Sequence, residues 1–546
     1  MATPLLNAAR TEMNRALTEL SLPDQPSPYW IGLNLKEEVT RRAFSSNGAL
    51  FYSTERHSRS VRIDVRVGDL SFDNRNFNSI GNNEGIVLKA LPTEDNELAL
   101  RRELWLGFDQ AYKGALEAYA EKSAAYEGRE YTLQKEQLPI AIQQSEPVPQ
   151  ITEDNWTTKL ANEISSRLKK HTFLEGNLVV VSHQQGAEHI VTSEGHQVSR
   201  PTDLVIIRVE AETRADDGSP IRNLRSWVVK DKDQLPEVER IHQEVREMVD
   251  WLEQLQTAPI EEDYLGPVVF EAAAAVELFR QLLLPQLSAT PPPAEPPDFS
   301  GEIPRVLPKS RVGRRVLPDR WNITDNALGH PEEIGSYPVD EEGVPPTPVD
   351  LVTDGVVTNL LMSRIPRDGF SSSTGHGRAI GRDRKMAINS VTRVSPPKHK
   401  RTSALRRKGI QLAKQTGQEY LLVVKQIEPL ALTDNFEIAF SGDGPLSGMT
   451  LPLEIYRLYA DGREEPVRGS SFVGVDRRIL RDITMAGQQS EFIGVMDDHY
   501  GRYGLGYAGG IPVSWSVPSV LISEMEIRGQ GGQELRVLPN PLTTDQ

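Results

Sequence analysis

The chain has 546 residues, 38% of them hydrophobic and 25% charged, and a formal net charge of −16. That length accommodates two to four domains with ordinary cores, and the composition is that of a globular protein. With no cysteine anywhere, disulfides, thiolate metal sites and thiol catalysis are excluded, and the acidic balance argues against a general nucleic-acid binder, because neutralising phosphates takes a basic surface.

The opening Met1-Ala-Thr-Pro-Leu-Leu6 lacks the basic and apolar regions of a signal peptide, so a cytoplasmic protein is expected. Residues 4–20 predict an amphipathic helix, with Leu5, Leu6, Ala9, Met13, Ala16, Leu17 and Leu20 near helical spacing. Residues 28–70 alternate apolar and polar, as in Val61-Arg-Ile-Asp-Val-Arg-Val67, and predict strands. Glu97–Tyr126 reads as a long Ala- and Glu-rich helix. Gln143–Thr152 is a proline-bearing connection, after which Asp154 or Asn155 is placed to cap a helix running to about Lys170. Strands are expected at 176–183, 187–193, 203–213 and 223–230, and a helix dense in Glu/Arg pairs over Leu235–Gln256. The apolar stretch Gly266–Leu284 is interrupted by Pro267, Glu271, Glu277, Arg280 and Gln281 and is too polar to span a membrane. Ser288–Pro297 is the clearest linker, because consecutive prolines favour an extended chain and forbid helix. Beyond it the chain is strand-rich, with Gly and Pro turns and one basic helix near 402–416. The fold class expected is α+β. An N-terminal α+β region covers 1–287, divisible near 143–153. A Pro-rich linker covers 288–299, a β-rich domain 300–540 and a loose tail 541–546.

Within the β-rich half, Tyr337-Pro-Val-Asp-Glu-Glu-Gly-Val-Pro-Pro346 is a rigid acidic loop. It precedes an apolar strand, Val349–Val352, a turn at Thr353-Asp-Gly355 and a second strand, Val356–Leu361, which together predict a β-hairpin. With the Gly-rich Ser373-Thr-Gly-His-Gly-Arg378 that follows, this order resembles the TldD/PmbA family, peptidase-related proteins once called modulators of DNA gyrase. Three further stretches are similar to family elements in the same order. Ile455–Gly469 resembles a strand, Asp-Gly turn and Pro-Val-Arg-Gly step, Arg481–Gly487 a helix-to-turn element, and Val517–Ser523 with Ile527–Gly529 the terminal strand.

The resemblance brings an expectation about chemistry. Catalytic members carry an HExxxH helix whose two histidines bind zinc and whose glutamate is the general base, with a cysteine near the C-terminus completing the ligand set. In this sequence those positions fall on Arg280, Gln281, Pro285 and the neighbourhood of Gly504. No ligand and no base is present there, and a guanidinium repels a cation. The resemblance therefore implies a non-catalytic subunit of the PmbA (TldE) type, with no metal of its own. It would work with a TldD-type metallopeptidase paralogue, in a heterodimer or larger assembly, whose zinc acts on unfolded peptides inside a closed chamber. A β-rich domain suits such peptides, because a strand edge binds main chain with little sequence demand. Two alternatives stand beside this reading: a peptidase with displaced ligands drawn from His183, His189, His196 or His376, and a homodimer that binds peptides without cleaving them.

Other features read more simply. His183, His189 and His196 with Glu188 or Glu194 form a metal set only if a hairpin gathers them, and read as ordinary polar strand residues. Arg364–Lys408 is strongly basic but has Phe370 as its only aromatic, which disfavours stacking on single-stranded nucleic acid. It reads as a solvated face, a contact for an acidic partner surface or a capture site for peptide carboxylates. Gly375, His376, Gly377, Arg378, Arg382 and Arg384 are the candidate peptide or partner contacts on it. Their loop lacks P-loop spacing and reads as a flexible chamber lining with His376 at the surface. Asp497-Asp498-His499 reads as a turn, and the strands around Val349–Leu361 and Val517–Ile527 are candidates for partner surface or chamber wall.

Overall fold

A computed structural model describes residues 4–77, 79, 84–126, 143–146, 155–290, 312–365, 370, 372–379, 384–429, 449–497 and 510–529. The N-terminal region carries α1 (Pro4–Glu19), β1 (Pro28–Ser46), β2 (Ala49–Val67), β3 (Ile86–Leu91), α2 (Glu97–Ala125), β4 (Gln143–Ser145), α3 (Trp156–Leu168), β5 (Gly176–Thr192), β6 (Gln197–Arg214), β7 (Pro220–Val229) and α4 (Val238–Thr257). Its strands make one sheet in the order β3-β2-β1-β5-β6-β4, with β7 also paired to β6. The two stretches that the 143–153 connection divides thus share a single sheet. The β1–β2 hairpin turns on Asn47-Gly48, both at positive φ (50° and 76°), the backbone that an Asn-Gly pair adopts cheaply. The strands expected separately at 176–183 and 187–193 are one strand, β5. Asn155 does precede α3, but its side chain makes no capping bond.

Side-chain alternation sets the two faces of this sheet. Odd positions of β1 and β2, such as Leu33, Leu35, Ile63 and Val65, pack under α1 and α2. Val179, Val181, Val205 and Ile207 pack with helices α3 and α4. Even positions point the other way, and at Trp30, Asn34 and Arg66 they meet the C-terminal domain.

The C-terminal domain begins before the prolines. It contains β8 (Tyr264–Phe270), α5 (Ala272–Leu282), α6 (Leu284–Leu287), β9 (Asn322–Asp325), β10 (Val349–Thr353), β11 (Val356–Val357), β12 (Gly377–Arg378), β13 (Met386–Ala387), β14 (Val391–Ser395), α7 (Thr402–Gln415) and β15 (Tyr420–Ile427). After these come β16 (Pro452–Tyr459), β17 (Glu464–Pro466), β18 (Ser470–Phe472), β19 (Ile483–Gln489), β20 (Ile493–Asp497), β21 (Ile511–Ser516) and β22 (Pro518–Gly529). One sheet runs β11-β10-β9-β14-β21-β20, a second β17-β16-β15-β8-β22-β18 with β19 on β22, and β12–β13 is a separate hairpin. Strand β8 lies between β15 and β22, so a boundary at 287 runs through a sheet. Ser288 bridges to Leu361 and Ala289 is 1% exposed, so the first residues of the expected linker are core; residues 291–299 and the tail lie outside the described residues. Arg481–Gly487 is not a helix-to-turn element, because Ile483 opens strand β19.

A single core joins both sheets to α5 and α6, through Phe279, Leu283, Leu287, Trp321, Leu351, Val424, Trp515 and Ile522 among others. The strands of Val349–Leu361 and Val517–Ile527 contribute Val349, Leu351, Val352, Val357, Leu361, Val517, Val520 and Ile522 to that core. Their apolar character is spent inside this chain, which corrects their reading as partner surface.

Candidate functional site

The resemblance places the metal-binding motif of catalytic members on α5, which does not carry its residues. Its run of alanines and its Leu/Phe positions sink it into the core, so the polar residues on it must find partners there. Arg280 Nη1 donates to Glu277 Oε1 at 2.5 Å, one turn back on the same helix. Arg280 Nη2 donates to the Met496 carbonyl at 3.2 Å and lies 3.4 Å from Asp497 Oδ1, at the end of β20. The side chains of Arg280, Glu277 and Asp497 are 3%, 6% and 0% exposed. Gln281 Nε2 donates to Glu277 Oε2 at 3.1 Å and to Thr450 Oγ1 at 2.9 Å, while its Oε1 accepts the Thr450 amide at 2.9 Å. One guanidinium between two buried carboxylates thus ties α5 to β20, and one carboxamide ties it to the entry of β16.

These residues do not fit a zinc ion. At the positions that the resemblance assigns to the first ligand and the base stand a permanent cation and a carboxamide, and both are held by neighbouring groups. Pro285 lies in α6, and Gly504 lies outside the described residues. Asp497 ends a strand rather than making a turn; Asp498 and His499 lie outside the described residues.

The acidic loop is the second assembly. Asp340 Oδ1 accepts the amides of Glu342 and Val344 at 2.9 and 2.8 Å, and its Oδ2 accepts that of Gly377 at 2.8 Å. Burial and the neighbouring Glu342 carboxylate push the Asp340 carboxyl up against the pull of those amides. Gly375 has φ 74°, and a Cβ there would lie 2.4 Å from the Pro345 carbonyl oxygen; one on Gly377 would lie 2.3 Å from Glu342 Oε2. Both glycines are therefore required by close packing of the Gly-rich segment on the acidic loop. His376 is buried, not at the surface: its Nε2 lies 3.0 Å from Asp325 Oδ1 and its Nδ1 2.9 Å from Thr374 Oγ1. Asp325 also accepts from Ser390 and Thr392. Burial would raise the Asp325 carboxyl, but His376 and the two hydroxyls outweigh it and hold it below the usual range.

The same loop seals the junction with the N-terminal sheet. Arg364 makes a two-pronged pair with Glu194 at 2.6 and 2.8 Å, and Glu194 also accepts from Trp30 Nε1 at 2.9 Å. The Arg66 guanidinium lies 3.6 Å over the Trp30 ring. Arg200 pairs with Glu188 and donates to the Val339 carbonyl at 2.8 Å. Arg384 pairs with Glu84 at 2.8 Å, and buried Lys385 faces Asp64 at 4.0 Å. Arg378 is buried under Tyr337, donating to the carbonyls of Asn389 and Pro512 at 3.1 and 2.9 Å. The basic stretch is therefore not one solvated face. Arg364, Arg378 and Lys385 are internal struts, Lys398, Lys400, Arg401 and Arg407 are exposed, and Arg382 lies outside the described residues.

The three strand histidines stay apart. His183 faces Asp203 at 2.9 Å, His189 bonds Ser199 at 2.8 Å, and His196 is buried near Gly343. Among the described residues, no three His, Asp or Glu side chains converge in a way that could hold a metal ion, and no helix is long and apolar enough to cross a membrane.

Residues 263–529 match the PmbA/TldA metallopeptidase C-terminal domain. No curated protein matches the chain. Among solved structures, a candidate modulator of a DNA gyrase from Thermotoga maritima is similar at 16% identity and a TM-score of 0.60, over 91% of this chain and 96% of its own. TldE from Thermococcus kodakarensis is similar at 13% identity and a TM-score of 0.57, over 96% of this chain and 100% of its own. A candidate modulator of DNA gyrase from Bacteroides thetaiotaomicron is similar at 10% identity and a TM-score of 0.58, over 96% and 98%. At these identities the likeness is one of fold. With the acidic loop, its Gly-rich partner segment and the matched domain in place, the chain belongs to the TldD/PmbA family.

Proposed function

We propose that this chain is the non-catalytic subunit of a TldD/PmbA-type metallopeptidase, working beside a partner chain that carries the HExxxH motif and the zinc. The observation that carries this reading is the buried Glu277–Arg280–Asp497 network at the motif position. It supplies from a side chain the positive charge that two carboxylates need, so α5 is held in place without an ion. Gln281 cannot accept a proton as a carboxylate does, and its carboxamide is committed to Glu277 and Thr450. The role left to this chain is to build chamber wall. The acidic loop, Arg364 and Arg384 hold the two regions together, with Gly375–Arg378 packed against that loop, and unfolded peptides would meet the metal on the partner, in the cytoplasm. The displaced-ligand alternative finds no support in the separate settings of His183, His189, His196 and His376. Co-expression with an HExxxH-bearing relative, followed by native mass measurement and metal analysis, tests the reading. Joint elution with one zinc per pair of chains supports it; zinc bound by this chain alone overturns it.

A further inference from the structure

The sheet face opposite the helices changes character along β1 and β2. Near Trp30 and Arg66 it meets the C-terminal domain. Toward the hairpin tip it carries Thr40, Arg42 and Phe44 beside Arg56, Thr54 and Tyr52, which pair across the strands in that order. Tyr52 and Arg56 are exposed and Arg42 is half-buried. No ion pair or hydrogen bond joins the side chain of Arg42 or Arg56 to a carboxylate among the described residues, and burial and then the like charge of Arg56 disfavour the Arg42 cation, with Tyr52 acting weakly the other way. On the other face Arg41, by contrast, pairs with Glu55 at 2.8 Å.

Among the described residues the same stretch is an open edge. Strand β3 pairs with β2 only from Arg59 to Asp64. Along residues 49–58 no described strand lies beside β2 on its outer side, and Phe51 and Tyr52 are 63% and 54% exposed there. A long exposed edge is a template for another strand. A second copy of this chain is a poor occupant, since it would bring its own pair of arginines onto the same face.

We propose that the 49–58 edge of β2 takes an extended segment of a different polypeptide, one with carboxylates at alternate positions that face Arg42 and Arg56. Main-chain hydrogen bonds give affinity, and the two arginines select the sign of charge and fix the register. The proposal rests on the reading of this chain as one half of a hetero-assembly and adds the chemistry of the contact.

The test uses fluorescently labelled Thr-Glu, Thr-Gln and Thr-Lys repeat peptides with the full chain, read by anisotropy and by amide hydrogen exchange. The Thr-Glu peptide is expected to bind best, more weakly as salt rises, and to slow exchange across residues 49–58. The Arg42→Gln/Arg56→Gln variant is expected to bind it roughly tenfold more weakly. The single Arg56→Gln change, at an exposed position, gives the same direction without risk to folding. Equal binding of all three peptides, unchanged binding by the variants, or binding without protection of 49–58 overturns the proposal, as does a homodimer that protects this edge by itself. None of these readouts depends on zinc or on a catalytic partner, so this proposal and the subunit reading fail separately.

Discussion

Removing the charge of Arg280 should expose how much the motif position depends on it. Arg280→Met keeps much of the aliphatic stem and deletes the guanidinium. Glu277 and Asp497, 6% and 0% exposed, then remain as buried carboxylates without their cation. Breaking a buried pair in this way costs about 3–5 kcal/mol, most of it from stranded charge rather than a lost contact. Arg280→Ala adds about 1.6 kcal/mol for two further methylene groups at ~0.8 each. If stranded charge is the cause, Glu277→Gln on top of Arg280→Met should recover part of the loss, about 1–3 kcal/mol, because a neutral amide is cheaper to bury unpaired. Urea unfolding followed by tryptophan fluorescence measures the loss, and hydrogen exchange at α5 and β20 localises it. A loss below about 1 kcal/mol for Arg280→Met, or no recovery in the double variant, would refute the view that this guanidinium replaces an ion as the organiser of the site.

Three other outcomes follow from the same contacts. Restoring the motif with Arg280→His, Gln281→Glu, Pro285→His and Gly504→Cys should raise the thermal stability of the chain on adding zinc, and a folded variant indifferent to zinc contradicts the placement of the motif. Gly375→Ala forces φ 74° on a residue with a Cβ aimed at the Pro345 carbonyl, and should cost about 1–3 kcal/mol, with faster exchange in residues 337–346; a neutral effect contradicts the tight stacking of the two loops. Burial raises the Glu188 carboxyl, but Arg200 and Lys36 outweigh it and hold its folded value below the ordinary 4.5. The unfolded chain therefore binds the proton more readily, and the stability from this pair is full above about pH 4.5 and lost as the pH falls below it. The stability gap between the native chain and Glu188→Gln should shrink over that acid range; a gap that widens with acid contradicts the assignment.

Local pattern carried much of the fold into view. Amphipathic spacing placed α1, helix-favouring composition placed α2 and a basic run α7, and alternation placed the long strands, because such local signals need no distant partner. The Tyr337–Gly355 loop and hairpin were legible for the same reason: turn residues fix their own backbone. What stayed hidden was pairing at long range. The prolines after Ser288 suggested a boundary, yet β8 pairs with β15 and β22 from far down the chain, and no local signal announces a partner so distant. The basic stretch looked like a solvated face because its counter-charges, Glu194, Glu84 and Asp64, lie in the other region. His376 looked exposed because Asp325, its buried partner, is 51 positions away. At the site itself, Arg280 and Gln281 were visible as departures from the motif. Glu277 was in view on the same helix, but Asp497 and Thr450 as their partners were not.

The central claim is that the metal belongs to a partner and not to this chain. Elemental analysis of the chain purified alone, and again after co-purification with an HExxxH-bearing relative, tests it most directly when paired with cleavage of an unfolded peptide. The chain alone is expected to hold no stoichiometric zinc and to cleave no peptide, with both appearing in the joint complex. One tightly held zinc per isolated chain, or peptide cleavage by that chain, would contradict it.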